Sequence, residues 1–132
     1  MTSSKTETLL ATALDARNKA HAPYSKFHVG AAILDETGAI HAGCNIENAS
    51  YPEGWCAETS AIAHMIMAGG RTIKEVCVVG PGPQLTTPCG GCRQRLSEFA
   101  TADVIVHVGD PEGIKRTFTM ADLLPAAFDL DT

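Results

Sequence analysis

Three cysteines constrain how this chain can fold more than anything else in its sequence. Cys56 begins the triplet Cys56-Ala57-Glu58, and Cys89 and Cys92 bracket the segment Pro88-Cys89-Gly90-Gly91-Cys92. A Cys-x-x-Cys pair on one turn can chelate a metal ion. A third thiolate from a distant segment would complete a tetrahedral zinc site with one position left for water, the arrangement of a catalytic rather than a closed structural zinc. Such a site supplies hydroxide near neutral pH. For the three sulfurs to meet, the segments at Cys56 and Cys89 must lie side by side, and everything between them must fold to allow it.

The surrounding pattern supplies elements that could do this. Leu9, Leu10, Ala13 and Leu14 recur at helical spacing between charged residues, predicting an amphipathic helix over about 6–19 that stops before Pro23. Alternation through Phe27, Val29, Ala31 and Ile33, the turn Asp35-Glu36-Thr37-Gly38 and the stretch Ala39–Cys44 predict a β-hairpin. The polar segment 45–54 reads as a loop. A second helix is predicted from Cys56 to about Ala68, where Gly69-Gly70 stops it. A short buried strand over 75–80, a proline-rich loop, a third helix over about 89–99 and a strand over 103–108 follow. An edge strand at 114–118 and a short helix ended by Pro125 complete the chain.

Strand, helix, strand between Val76 and Val108 implies a parallel right-handed crossover, whereas the earlier hairpin is antiparallel. The expected architecture is a three-layer α/β/α sandwich on a mixed sheet of about five strands. With 132 residues and 13.9 kDa, the chain fits a single domain, 1–132.

Both ligand groups fall at predicted helix starts, where unpaired N–H groups and the helix dipole stabilise thiolates. Glu58 lies about 200° around the helix from Cys56, poorly placed to ligate the same ion. It can still reach metal-held water, take its proton and return it to a leaving nitrogen, as general acid-base catalysis requires. None of the five histidines has ligand spacing to the cysteine set, so they read as surface or hydrogen-bonded residues. Cys44 and Cys77, in apolar surroundings, read as small core residues.

Charge narrows the partners. Fifteen acidic against ten basic side chains give a formal charge of -5, which disfavours nucleic acid, because phosphate binding needs clustered lysine and arginine. No apolar run approaches the roughly 20 residues that span a bilayer, so no membrane partner is expected. A polar start without a visible signal peptide, and an odd cysteine count, predict a cytoplasmic protein with free or metal-bound thiols.

A Cys-x-Glu paired with Pro-Cys-x-x-Cys is the signature of zinc deaminases of nucleobases in its three-cysteine form. Beyond it, the chain resembles the small homotetrameric cytidine deaminases over nearly its full length. The likeness runs through Ala22-Pro23-Tyr24-Ser25-Lys26-Phe27-His28-Val29-Gly30-Ala31-Ala32, Gly43-Cys44-Asn45-Ile46-Glu47-Asn48-Ala49-Ser50-Tyr51, the segment from Pro88 to Gln94, and Leu123-Leu124-Pro125-Ala126-Ala127-Phe128.

That resemblance implies one Zn²⁺ per chain on Cys56, Cys89 and Cys92, and a pyrimidine nucleoside as substrate. Asn45 and Glu47 would bond the ribose 3′-hydroxyl, Phe27 would pack near the base, and the N–H of Ala57 would contact the pyrimidine carbonyl. Phe128, with Tyr51 as a second candidate, would reach a neighbouring subunit's pocket in a homotetramer with shared active sites. Glu58 would move protons while cytidine or deoxycytidine becomes uridine or deoxyuridine.

The chain departs from the family at Thr59, where an arginine often follows the catalytic glutamate. Three thiolates and Zn²⁺ leave one negative charge, and Arg93, beside Cys92, is expected to offset it together with the two helix N-termini. Two rival readings stay open: a related zinc deaminase, acting on a nucleoside analogue or on single-stranded nucleic acid, and a structural zinc module whose metal is closed by a fourth ligand. The ribose-type block Asn45–Tyr51 and the acidic surface oppose both forms of the first. Glu58 separates enzyme from structural module.

Overall fold

The computed structural model describes residues 4–130; Met1, Thr2 and Ser3 of the polar start, and Asp131 and Thr132, lie outside the described residues. Helix α1 (Ser4–Arg17) buries Leu9, Ala13 and Ala16, a stripe at helical spacing. Beyond Arg17, the N–H groups of Asn18, Lys19 and Ala20 donate to Asp15, Ala16 and Arg17. This tightened turn ends the helix short of the expected Lys19.

The hairpin forms from β1 (Gly30–Asp35) and β2 (Ile40–Cys44), paired antiparallel from Gly30 opposite Cys44 to Leu34 opposite Ile40. Strand β1 starts later than the alternation from Phe27 suggests, because a side chain takes over the pairing there. Asn45 Oδ1 accepts from the Val29 N–H at 2.9 Å, and its Nδ2 donates to the Phe27 carbonyl at 2.7 Å. Within β1, Gly30 to Ile33 are all buried, as expected of a strand covered on both faces.

The remaining elements are α2 (Ala57–Met67), β3 (Ile73–Val79), α3 (Gly90–Ser97), β4 (Ile105–Asp110), β5 (Gly113–Thr119) and α4 (Met120–Leu123). They build a five-stranded sheet in the order β2-β1-β3-β4-β5. Strands β3 and β4 are parallel, as the crossover through α3 requires, and the other neighbours are antiparallel. On one face α1 packs Leu9 and Ala13 against Ala32, Cys77 and Val79. On the other, α2 and α3 bring Ala61, Met65 and Leu96 onto Ile33, Val76 and Val106. The result is the expected mixed α/β sandwich, and each fully buried side chain such as Met65 stabilises it by about 1.5–3 kcal/mol.

This topology brings the distant cysteines together. Strands β2 and β3 both run antiparallel to β1, so they point the same way and their following helices start at the same end of the sheet. Open α/β sheets place their ligand sites in the crevice at that end. Helix α2 packs tightly on β2 at Gly43. A Cβ there would sit 2.3 Å from the Ala61 nitrogen and 2.5 Å from the Ala57 carbonyl oxygen, so only glycine lets α2 seat at this depth.

Candidate active site and metal centre

Cys56 is the N-cap of α2, with extended backbone at φ -74° and ψ 158°. Cys89 is the N-cap of α3 at φ -67° and ψ 168°. Their carbonyls accept the first helical bonds, from Ser60 and Arg93, and Cys92 is buried in the first turn of α3. The Cys56 and Cys89 sulfurs lie 3.8 Å apart, and all three sulfurs lie within 4.8 Å of one another. Zinc–sulfur bonds of about 2.3 Å in a tetrahedron separate the sulfurs by about 3.8 Å, so the donor set fits zinc in both chemistry and size.

The thiols also make a cation necessary if all three are to ionise. A hydrogen bond from Cys92 eases the Cys56 thiol below its ordinary range. The same hydrogen bond, then burial, pushes Cys92 far above it. A divalent ion among the sulfurs removes that conflict, because coordination deprotonates a thiol outright. The other two cysteines take no part: burial raises the Cys77 thiol to about 12, where it is inert, and Cys44 is a free, half-buried thiol on β2.

Glu58, in the first turn of α2, is 4% exposed. Burial raises its carboxyl above the ordinary range, opposed by weaker contributions that include the Cys92 sulfur and the Arg95 charge. A carboxyl so tuned can hold a proton closer to neutral pH. It lines a pocket of about 270 Å³ with Phe27, Asn45, Cys56, Ala57 and Thr86. Ala57 is the first residue of α2, so its N–H is among those left without an intrahelical partner.

A second pocket of about 450 Å³ adjoins the first, sharing Asn45 and Cys56 and adding Tyr24, Glu47, Tyr51 and Trp55. The loop that forms it is stitched by backbone bonds. Ile46 and Trp55 exchange N–H···O bonds at 2.8 and 2.9 Å, and Glu47 N–H donates to His21 at 2.8 Å. This closure carries the chain from β2 back to Cys56.

Both carboxylate oxygens of Glu47 are engaged. Oε1 accepts from the N–H groups of Tyr24 and Ser25 at 2.9 and 3.1 Å, and Oε2 accepts from the Ser25 hydroxyl. The Ser25 hydroxyl bond, above all, holds this carboxyl below the ordinary range. Asn45, bonded to Phe27 and Val29, keeps one N–H and one lone pair for a ligand.

Cys56, Cys89, Cys92, Glu58, Ala57, Phe27, Asn45 and Glu47 all line these pockets or the sulfur cluster, and Tyr51, expected as a second candidate for a neighbouring subunit's pocket, lines this chain's own second pocket. Phe128, expected at a neighbouring subunit's pocket, and Arg93 do not line these two pockets. Phe128 is 70% exposed and borders a separate cleft with Ser97, Ala121 and Leu124. Arg93, expected to offset the thiolate charge, is committed to backbone: its Nε donates to Pro88 at 2.7 Å and its Nη1 to Leu123 at 2.9 Å. The guanidinium at a sulfur belongs to Arg95, whose Nη1 lies 3.9 Å from Cys92 Sγ.

Thr59, noted in the sequence only as a departure from the family, has its hydroxyl 3.8 Å from the same sulfur, and the pocket-lining Trp55, Thr86 and Thr87 were passed over. The one available signal was helical spacing. Arg95 is a turn after Cys92, and such residues share a helix face.

Residues 3–108 match the family model described as the cytidine and deoxycytidylate deaminase zinc-binding region. The chain belongs to the cytidine deaminase family. It is 43% identical over 122 residues to the cytidine deaminase of Sporosarcina psychrophila, covering 92% of this chain and 90% of that one. It is 40% identical over 124 residues to a cytidine deaminase of Mycobacterium tuberculosis, covering 93% and 89%. The crystal structure of the cytidine deaminase from Burkholderia pseudomallei superposes with a TM-score of 0.88 at 40% identity, covering 97% of this chain and 100% of that chain. The matched zinc-binding region contains the three cysteines, Glu58 and the Asn45–Tyr51 loop; Phe128 lies beyond it.

Proposed function

We propose that the protein deaminates cytidine and deoxycytidine hydrolytically, giving uridine or deoxyuridine and ammonia, with residues 1–132 acting as one catalytic domain. The observation that carries this reading is the buried Glu58 carboxyl in a pocket shared with the three-cysteine cluster. Cys56, Cys89 and Cys92 would hold Zn²⁺, which when bound makes water acidic enough to act as a nucleophile at neutral pH. Glu58, lining the same pocket, would carry a proton from the attacking water to ring N3 and then support departure of ammonia from C4. Water adds at C4 as the amine leaves, so cytidine and water become uridine and ammonia without a redox partner.

The other residues hold the nucleoside in place. The free capacity of the Asn45 amide, and Glu47 two residues on, suit the ribose 3′-hydroxyl. Phe27, 44% exposed at the pocket, suits a base face, and the Ala57 N–H suits the pyrimidine carbonyl. The position of Phe128, at a separate cleft away from the two pockets beside the cysteines, accords with a role in a neighbour's site within a homotetramer, and Tyr51, 75% exposed, is the second such candidate. The acidic balance of the chain supports a small neutral substrate over nucleic acid. Among the described residues no helix is long and apolar enough to cross a membrane, and a cytoplasmic place suits its five unpaired cysteines.

Purified protein incubated with cytidine, with ammonia release followed with and without a chelator, tests the reading. Chelator-sensitive, stoichiometric ammonia and uridine are expected. A zinc-loaded protein that releases none would overturn it.

A further inference from the structure

The cysteine centre carries more negative charge than its expected ion cancels, and Arg95 stands where it can offset the remainder. Arg95 follows Cys92 by three residues on α3, and helix side chains lean toward the N-terminus, so its guanidinium reaches back over the first turn. There Nη1 lies 3.9 Å from Cys92 Sγ. Gly91 leaves the space it occupies: a Cβ on Gly91 would sit 3.1 Å from Nη1 and 3.7 Å from Cζ. On the opposite helix, the Thr59 hydroxyl approaches the same sulfur at 3.8 Å.

We propose that Arg95 is a positioning residue of the metal centre, its guanidinium donating to the Cys92 sulfur and cancelling the negative charge that three thiolates leave on a divalent ion. This rests on the deaminase reading above. A guanidinium–thiolate bond is charge-assisted and draws electron density from one ligand, so the centre remains electrophilic toward water. Arg95 thereby supplies from α3 the cation that Thr59 cannot supply from α2. Arg93, whose guanidinium is spent on Pro88 and Leu123, holds the ligand loop to α4.

The test uses the zinc-loaded protein and three variants, Arg95→Gln, Arg95→Lys and Gly91→Ala. Measured are zinc content, the rate at which excess chelator strips zinc, and kcat and KM for cytidine. Changing a residue that supports a metal ligand typically costs about 10–100-fold. Arg95→Gln should lose kcat in that range with KM nearly unchanged, while keeping one zinc per chain and releasing it no faster than the parent. Removing a cation makes the site hold Zn²⁺ at least as tightly. Arg95→Lys, which keeps the charge, should recover part of the rate, and Gly91→Ala, which displaces the guanidinium, should lose part of it.

An unchanged kcat in Arg95→Gln, or faster zinc release from it, overturns the proposal, the second because it marks a merely structural support. The release rate reads Arg95 whether or not cytidine is the substrate. A parent protein that holds zinc but forms no uridine counts against the deaminase reading alone.

Discussion

At the residue scale, two arginines a turn-fraction apart on α3 do different work. Arg93 ties Pro88 and Leu123 with bonds of 2.7 and 2.9 Å, so it braces the turn that presents Cys89. Arg93→Ala leaves two carbonyls without their charged donor, which should cost about 2 kcal/mol in urea unfolding and speed zinc loss to a chelator, the opposite of the Arg95 response. A stability and a zinc-release rate equal to the parent's would remove this role. The residues that sequence located best were Cys56, Glu58, Cys89 and Cys92, because their chemistry is set by spacing within a single turn. Arg95 and Thr59 were invisible as partners of Cys92, because that contact depends on how two helices face each other.

At the scale of elements, the hairpin between β1 and β2 is held at its turn by a buried pair. Asp35, 3% exposed, accepts from Thr37 and Ala39 through Oδ1, and its Oδ2 lies 2.6 Å from His41 Nε2. The bond with His41, followed by that with Thr37, holds its carboxyl far below the ordinary 3.8. The folded state therefore takes up this proton less readily than the unfolded chain. Its stabilisation is complete above about pH 4 and is lost as pH falls toward the low folded value. Urea midpoints of the parent should drop between about pH 4 and about pH 2 by more than those of Asp35→Asn, and parallel curves would contradict the assignment.

The histidines were legible in outline, read as hydrogen-bonded rather than ligating, and His41 and His107 indeed pair with Asp35 and Glu75. The start of β1 was less so. Alternation marks where a strand could run, but the Asn45 side chain replaces its first pairing, and a side-chain substitute for a ladder leaves no periodic signal.

At the scale of the whole molecule, the order β2-β1-β3-β4-β5 makes the chemistry possible, since it sets the starts of α2 and α3 at one end of the sheet. The parallel strand–helix–strand crossover and the antiparallel hairpin were readable from the sequence of elements, whereas the order of the strands came only with the structure. Assembly was not readable from periodicity. The apolar groups left in solvent, Tyr51 at 75%, Trp55 at 50% and Phe128 at 70% exposed, fit the homotetramer proposed above. Light scattering should give a mass near four times 13.9 kDa, and Phe128→Ala should lower turnover. A fully active monomer would contradict shared sites.

The proposed chemistry converges on Glu58 as the proton carrier beside the three-cysteine cluster, and Glu58→Gln isolates that part. The variant keeps the size of the side chain and removes only its ability to exchange a proton. It should fold, retain one zinc per chain, and lose at least about 100-fold in the rate of ammonia release from cytidine. A zinc-loaded Glu58→Gln protein that still deaminates cytidine at the parent's rate would contradict the account.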